Sequence, residues 1–224
     1  MNKKPSRRAA SAPSRRHFEA PEDTGVYPPR EDTYLLLPFA AVPPGTLLAD
    51  VGTGRGLAAL AAARAGARVV ATDLNRVALR RLCAEARSKG WDVEVVHTDL
   101  LRGLGRFDRI LANPPYLPTT PEERDPDPHT NLALDGGPDG CRVFSRLVRS
   151  LGPHLHPDGN AFVVVSSVQD ATAQAAILNR WKSEGGSWSV AASRPLEGEW
   201  LKVLRLWRPT RRGGARIRRA APRR

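Results

Sequence analysis

Two rhythms of apolar and polar positions run along the chain. Short, nearly unbroken apolar runs recur at Leu47-Leu48-Ala49-Asp50-Val51, Arg68-Val69-Val70-Ala71-Thr72, Val93-Glu94-Val95-Val96-His97, Phe107-Asp108-Arg109-Ile110-Leu111 and Ala161-Phe162-Val163-Val164-Val165. Their length and density predict buried strands of a parallel sheet. Between them lie stretches of helical spacing: Leu57 to Ala65, Arg76 to Lys89, Cys141 to Leu151 and Ala171 to Glu184. In the second, Val77, Leu79, Leu82, Cys83 and Ala86 turn toward the sheet, so Cys83 is expected as a core thiol. In the third, Val143, Phe144, Leu147 and Leu151 share one face. Trp188 to Ala192 and Leu201 to Trp207 add two strands, seven in all. Strands alternating with helices predict an α/β fold with helices on both faces of a mostly parallel sheet.

The intervals carry turn chemistry. Pro28-Pro29 holds an extended entry, and Glu31 and Asp32 fall in the first turn of a short helix, where the macrodipole favours acids. That helix is either a lid over a site or a simple packing element; Pro43-Pro44-Gly45 ends it. Pro118 to Pro128 reads as a polar loop. The glycines of Leu132 to Gly140 predict tight turns on the substrate side, and Asp158-Gly159 predicts another turn.

A length of 224 residues fits one domain with a sizeable core. The net charge of +12 is unevenly spread. Residues 1–20 hold six Lys/Arg and one acid, and 208–224 hold eight Arg and no acid. Residues 21–207 hold 21 basic and 22 acidic residues, so the folded domain expected there is nearly neutral. Both tails are poor in large apolar residues and are expected to be disordered. Two readings of them stay open: a weak electrostatic grip on RNA or the ribosome, or a solubilising tail. The N-terminus lacks an apolar segment after its basic residues, so no signal peptide is expected. No run reaches the ~18–20 apolar residues of a membrane span. Cys83 and Cys141 lack metal-ligand spacing, and His154 and His156 stand in a Pro-flanked turn without a nearby Cys, so no metal site is expected. The expected compartment is the cytoplasm.

Candidate chemistry gathers where strands end. Gly52-Thr53-Gly54-Arg55-Gly56 follows the first strand and precedes a helix, so backbone can pass close to a ligand. Asp73 ends the second strand, 21 residues after Gly52, the distance at which an acid reaches ribose hydroxyls. Asp99-Leu100 follows the third strand. Asn113-Pro114-Pro115-Tyr116 follows the fourth and offers an amide oxygen, a carbonyl held by fixed φ angles, and an aromatic face. Together these suit a planar substrate carrying an NH2 group. Taken alone, the Pro-Pro pair is equally a loop breaker.

With these motifs in view, the chain resembles the Rossmann-like class I methyltransferases that use S-adenosylmethionine. More narrowly, it resembles the HemK/PrmC family of release-factor glutamine methyltransferases in its short form. The residues that carry the likeness are Val26-Tyr27-Pro28-Pro29-Arg30-Glu31-Asp32-Thr33, Asp50-Val51-Gly52-Thr53-Gly54-Arg55-Gly56, Asn113-Pro114-Pro115-Tyr116 and Leu134-Asp135-Gly136-Gly137-Pro138-Asp139-Gly140. The resemblance implies cofactor contacts at Thr33, Asp50, Gly52, Gly54, Gly56, Asp73, Asp99, Leu100 and Asn113. Asp73 would hold the ribose, Asp99-Leu100 the adenine, and Asp50 the methionine end. It implies a substrate site at Asn113, Pro114, Pro115 and Tyr116, and a glutamine of a release factor as methyl acceptor. It also implies a small zinc-binding activator, as the short form has in eukaryotes and archaea, and no extra N-terminal helical domain. The tails are not explained by it. Two rival readings remain: an amino methyltransferase acting on adenine or cytosine of RNA or DNA, and a binding module that keeps the fold without activity.

Overall fold

The structure is a computed structural model that describes residues 26–209. The terminal segments 1–20 and 210–224, expected to be tails, lie outside the described residues. Residue 208, assigned to the C-terminal tail from composition, belongs to the folded body: its guanidinium lies 5.3 Å from the centre of the Trp181 ring.

Strands β1 (Leu47–Val51), β2 (Arg68–Asp73), β3 (Val93–His97), β4 (Phe107–Ala112), β5 (Leu155–Ser166), β6 (Ser187–Leu196) and β7 (Glu199–Trp207) form one sheet in the order β3-β2-β1-β4-β5-β7-β6. The first five pair in parallel, and β7 runs antiparallel between β5 and β6. The chain winds outward from β1 through β2 to β3, then returns to the other side of β1 with β4. That reversal opens a crevice at the carboxyl ends of β1 and β4, where such sheets bind ligands.

Helices α1 (Glu31–Leu36), α2 (Leu57–Arg64) and α3 (Arg76–Ser88) help cover one face. There Leu48, Val69, Leu111 and Val164 pack against Leu36, Ala59, Ala62 and Leu82. Helices α5 (Arg142–His154) and α6 (Ala171–Ser183) help cover the other, where Phe144, Leu147, Leu151 and Trp181 meet Ile110, Ala161 and Val163. Alanines along α2 let its backbone lie close to the sheet; Ala59 and Ala62 are fully buried. Asn75 starts α3 by accepting from the Val77 amide at 2.9 Å, and Asp170 starts α6 by accepting from Ala173 at 2.7 Å.

Several expectations are corrected. Cys83 is half-buried, because the buried stripe of α3 runs through Ala78, Leu79, Leu82 and Ala86 and leaves Cys83 at its margin. The stretch after Tyr116 is not all loop. It contains a 3-10 turn (Pro121–Glu123) and helix α4 (Pro128–Leu134), whose start signal, Asp127 before Pro128, stands in the sequence. His154 closes α5 and His156 lies in β5, so they share no turn. Asp158-Gly159 falls inside β5, where Phe107 faces Leu155 but Arg109 faces Asn160. The expected turn is present as a bulge, with Asp158 at φ +67°.

Candidate active site

At the end of β1 the backbone turns sharply through the glycine loop. The Thr53 amide donates to the Thr72 carbonyl at 2.9 Å, tying the loop to β2. Gly52 and Gly54 have φ of +68° and +52°, and no heavy atom beyond their chain neighbours lies within 4 Å of where a Cβ would stand. That leaves an open concave backbone on the cleft side. Gly56 is different: a Cβ there would come within 2.6 Å of Leu82 Cδ1, so its role in this structure is the packing of loop against α3.

Two carboxylates hold the loop. Asp73 accepts from the Gly54 amide at 2.9 Å through Oδ2 and from the Asn75 amide at 2.7 Å through Oδ1. Asp50, buried at the end of β1, accepts from Thr53 Oγ1 at 2.6 Å and from the Ala59 amide at 3.1 Å. Burial pushes its carboxyl up to about 6, against the pull of those two hydrogen bonds and with the help of nearby Asp73. Leu100 lines the cleft with φ +55°, rare for a branched residue. Asp99, next to Leu100, pairs through Oδ2 with Arg146 of α5.

Asn113, Pro114, Pro115 and Tyr116 leave β4 into the same cleft, of about 1200 Å³, together with Thr33, Asp50, Gly52, Gly54, Asp73 and Leu100. Asn113 Oδ1 is buried and has no hydrogen-bond partner among the described residues. Pro114 is buried and Pro115 half-buried. The Tyr116 hydroxyl donates to Asp32 Oδ2 at 3.2 Å. Burial first, then the negative charges of Asp32 and Glu199, push its ionisation far above the ordinary phenol range, so it stays a neutral donor.

Three features escaped the sequence reading. Asp32 is a buried carboxylate that also accepts from the Thr33 amide at 2.6 Å, and so links α1 to Tyr116 across 84 positions. The two-residue turn Glu197-Gly198 between β6 and β7 brings Glu199 to the cleft, where it accepts from Ser166 Oγ at 2.5 Å. The 134–140 segment braces the chain after Tyr116: Leu117 donates to Leu134 O at 3.1 Å, Gly136 to Leu117 O at 2.9 Å, and Thr119 to Gly137 O at 2.9 Å. The Glu-Gly dipeptide between two apolar runs marked the hairpin; nothing local marked the Asp32 contact.

The chain is similar to several known proteins. Residues 31–125 match the family model of the methyltransferase small domain. A putative protein N5-glutamine methyltransferase of Methanocaldococcus jannaschii is 32% identical over 185 residues, 82% of this chain and 92% of its own length. A release factor glutamine methyltransferase of Deinococcus radiodurans is 42% identical over 147 residues; the match covers 60% of this chain and about half, 51%, of that protein. Among solved structures, the E. cuniculi Mtq2–Trm112 complex, responsible for methylating the termination factor eRF1, superposes with a TM-score of 0.63 at 25% identity, covering 83% of this chain and 99% of the other. The crevice at the sheet reversal, the glycine loop with its two acids and the Asn-Pro-Pro-Tyr strand end thus sit in a chain that belongs to the protein-glutamine methyltransferase family of class I, S-adenosylmethionine-dependent enzymes.

Proposed function

We propose that this chain methylates the side-chain amide nitrogen of a glutamine in the Gly-Gly-Gln loop of a translation release factor, in the cytoplasm. The observation that carries the proposal is Asn113 Oδ1, a buried acceptor without a donor, in the cleft beside the Pro114 carbonyl. A planar NH2 group supplies two donors, and these two oxygens are suited to take them.

The cleft fits S-adenosylmethionine. The open backbone at Gly52 and Gly54 admits a ligand that a Cβ would obstruct. Asp73 retains acceptor capacity beyond its two amide donors and would hold the ribose diol. Asp50 would face the cationic methionine end, with Thr33 and Leu100 completing the walls. Asp99 and Gly56, expected as contacts, enter this proposal only as supports, through Arg146 and through packing on Leu82. The cofactor, when bound, supplies an electrophilic methyl on a positively charged sulfur.

An amide nitrogen is a poor nucleophile because its lone pair is delocalised. Asn113 Oδ1 and the Pro114 carbonyl, accepting from the two N–H groups, would favour positive charge on that nitrogen and fix its direction of attack. The amide nitrogen held by these two oxygens would take up the methyl group and then release one of its protons to solvent. Tyr116 would pack against the amide plane, its ring held by Asp32. Buried Asp32 thus acts as a positioning residue for Tyr116.

A small zinc-binding subunit is the proposed partner, on the likeness to a chain solved in complex with Trm112. Transfer of labelled methyl from S-adenosylmethionine to a release factor, total RNA or DNA tests the function. Label on the release factor alone is expected; label on RNA or DNA alone would replace this proposal with the nucleobase reading, and no label on any would leave a binding module.

A further inference from the structure

Away from the cleft, one part of the sheet presents basic and aromatic side chains together. Leu111, Phe162 and Val203 belong to the core on the α1–α3 side of the sheet. Residues two positions along the same strands face the same way. Strand register sets them in two cross-strand rows, Phe162–Arg205–Ser189 and Arg109–Asn160–Trp207. The cleft opens at the carboxyl ends of β1 and β4. These rows lie toward the opposite edge, with Arg109 in the first half of β4 and Trp207 closing β7. Arg205 and Ser189 are exposed, and Arg109, Asn160 and Trp207 are half-buried.

Rings and guanidiniums alternate across this surface. Phe39 stacks on Phe162 with ring centres 4.3 Å apart. The Arg109 guanidinium lies 4.7 Å from the centre of the Phe162 ring, and that of Arg205 lies 5.1 Å from the centre of the Trp207 ring. Arg109 Nη1 donates to the Phe39 carbonyl at 2.8 Å, while its Nε is buried with no acceptor among the described residues. Burial first, then the positive charge of Arg205, pulls the Arg109 guanidinium below its ordinary range. Among the described residues neither arginine forms an ion pair with a carboxylate. The same is true of exposed arginines such as Arg80 and Arg149, but water solvates those. Arg109 differs from them: it has given up part of its water and stands beside a like charge. An anion that joined the two guanidiniums would offset both costs. The chain leaves this surface at Trp207, and residues 210–224 hold seven Arg and no acid.

We propose that this outer sheet face binds a single strand of RNA, with phosphates at Arg109 and Arg205 and a base on the Trp207 ring. The arginines of 210–224 supply further phosphate contacts along the strand. Guanidiniums take phosphate oxygens and aromatic rings take base faces, a combination that tolerates any sequence. An acidic peptide would use the guanidiniums and leave the rings idle. RNA held here is a docking partner and not the methyl acceptor, because Asn113 follows the other end of β4. The proposal does not depend on which amide the cleft methylates.

The test measures binding of a short fluorescent single strand of RNA to the full-length chain by anisotropy, over a range of salt. Inorganic polyphosphate and a polyglutamate peptide serve as competitors. Arg205→Gln should weaken RNA binding about fivefold and flatten the slope of log affinity against log salt by about 0.7. Ser189→Glu, which sets a carboxylate opposite Arg205, should weaken it at least as much. Trp207→Leu should cost roughly fivefold or more against RNA and leave polyphosphate binding unchanged. Arg80→Gln, on α3, should change RNA binding little, and methyl transfer should persist in all four variants. RNA affinity unmoved by Arg205→Gln and Ser189→Glu, or lost equally with Arg80→Gln, overturns the proposal. Polyglutamate that competes as well as an RNA of equal charge overturns it too, in favour of an acidic protein partner.

Discussion

Burying a carboxamide oxygen without a donor costs roughly 1–3 kcal/mol, and Asn113 Oδ1 bears that cost while Tyr116, three positions on, is fully engaged with Asp32. The contrast assigns different duties to neighbouring residues. Asn113→Ala is expected to lower kcat by roughly a hundredfold or more, as loss of an oriented charge-stabilising group does, while KM for the acceptor changes little. Single-turnover kinetics would check this, and a loss confined to KM would contradict it. Asp50 supplies a second prediction. An unfolded Asp loses its proton near 3.8 and the folded one near about 6. Between those values the folded state holds more protons, so stability falls as pH rises through that window and levels off above it. A cofactor ammonium placed beside Asp50, as proposed, would favour the carboxylate. Binding at about pH 5.5 should therefore release up to roughly three-quarters of a proton, and affinity should rise with pH up to about 6. Calorimetry in two buffers of different ionisation enthalpy measures the release. Identical heats in both would separate Asp50 from the methionine end.

Elements that could be read from sequence are those whose cause is local. The strand, glycine turn and helix at 47–65 announce themselves by apolar density and by residues that tolerate positive φ, and the four strand ends follow from the same periodicity. What sequence leaves hidden is long-range. The hydrogen bond from Tyr116 to Asp32 and the arrival of Glu199 at the cleft depend on how α1 and the hairpin pack, which no local pattern encodes. The pairing of Asp99 with Arg146 is hidden for the same reason. Helix α4 is another matter, since its cap and proline are local but its short run carries little periodicity. Gly140 shows how tightly these parts are joined. Its φ is +70°, and a Cβ there would stand 2.4 Å from the Tyr116 carbonyl oxygen, with Gln169 Cγ behind it at 3.1 Å. Gly140→Ala should cost about 2 kcal/mol of stability or more, from the left-handed backbone and the clash together. Methyl transfer should fall with it, because Tyr116 must shift. An unchanged denaturation midpoint would show that the loop does not brace Tyr116.

Across the molecule, charge is segregated: basic ends, a nearly neutral body and an acidic cleft mouth. Among the described residues no helix is long and apolar enough to cross a membrane. Because Arg208 packs on Trp181, the C-terminal cut belongs after it. Deleting 1–20 and 209–224 is expected to preserve a cooperative melt and cofactor affinity; if RNA or ribosome binding weakens and loses its salt dependence, the electrostatic grip is favoured over a solubilising tail. Loss of the cooperative melt would place part of those segments in the core.

The central claim is a methyl group placed on one amide nitrogen by Asn113, and peptide mass spectrometry tests it most directly. A release factor co-expressed with this chain should gain one methyl on the glutamine of its Gly-Gly-Gln loop, and should lack it when co-expressed with Asn113→Ala. An unmodified glutamine with the intact chain, or a methyl found instead on adenine of RNA or DNA, would contradict the account.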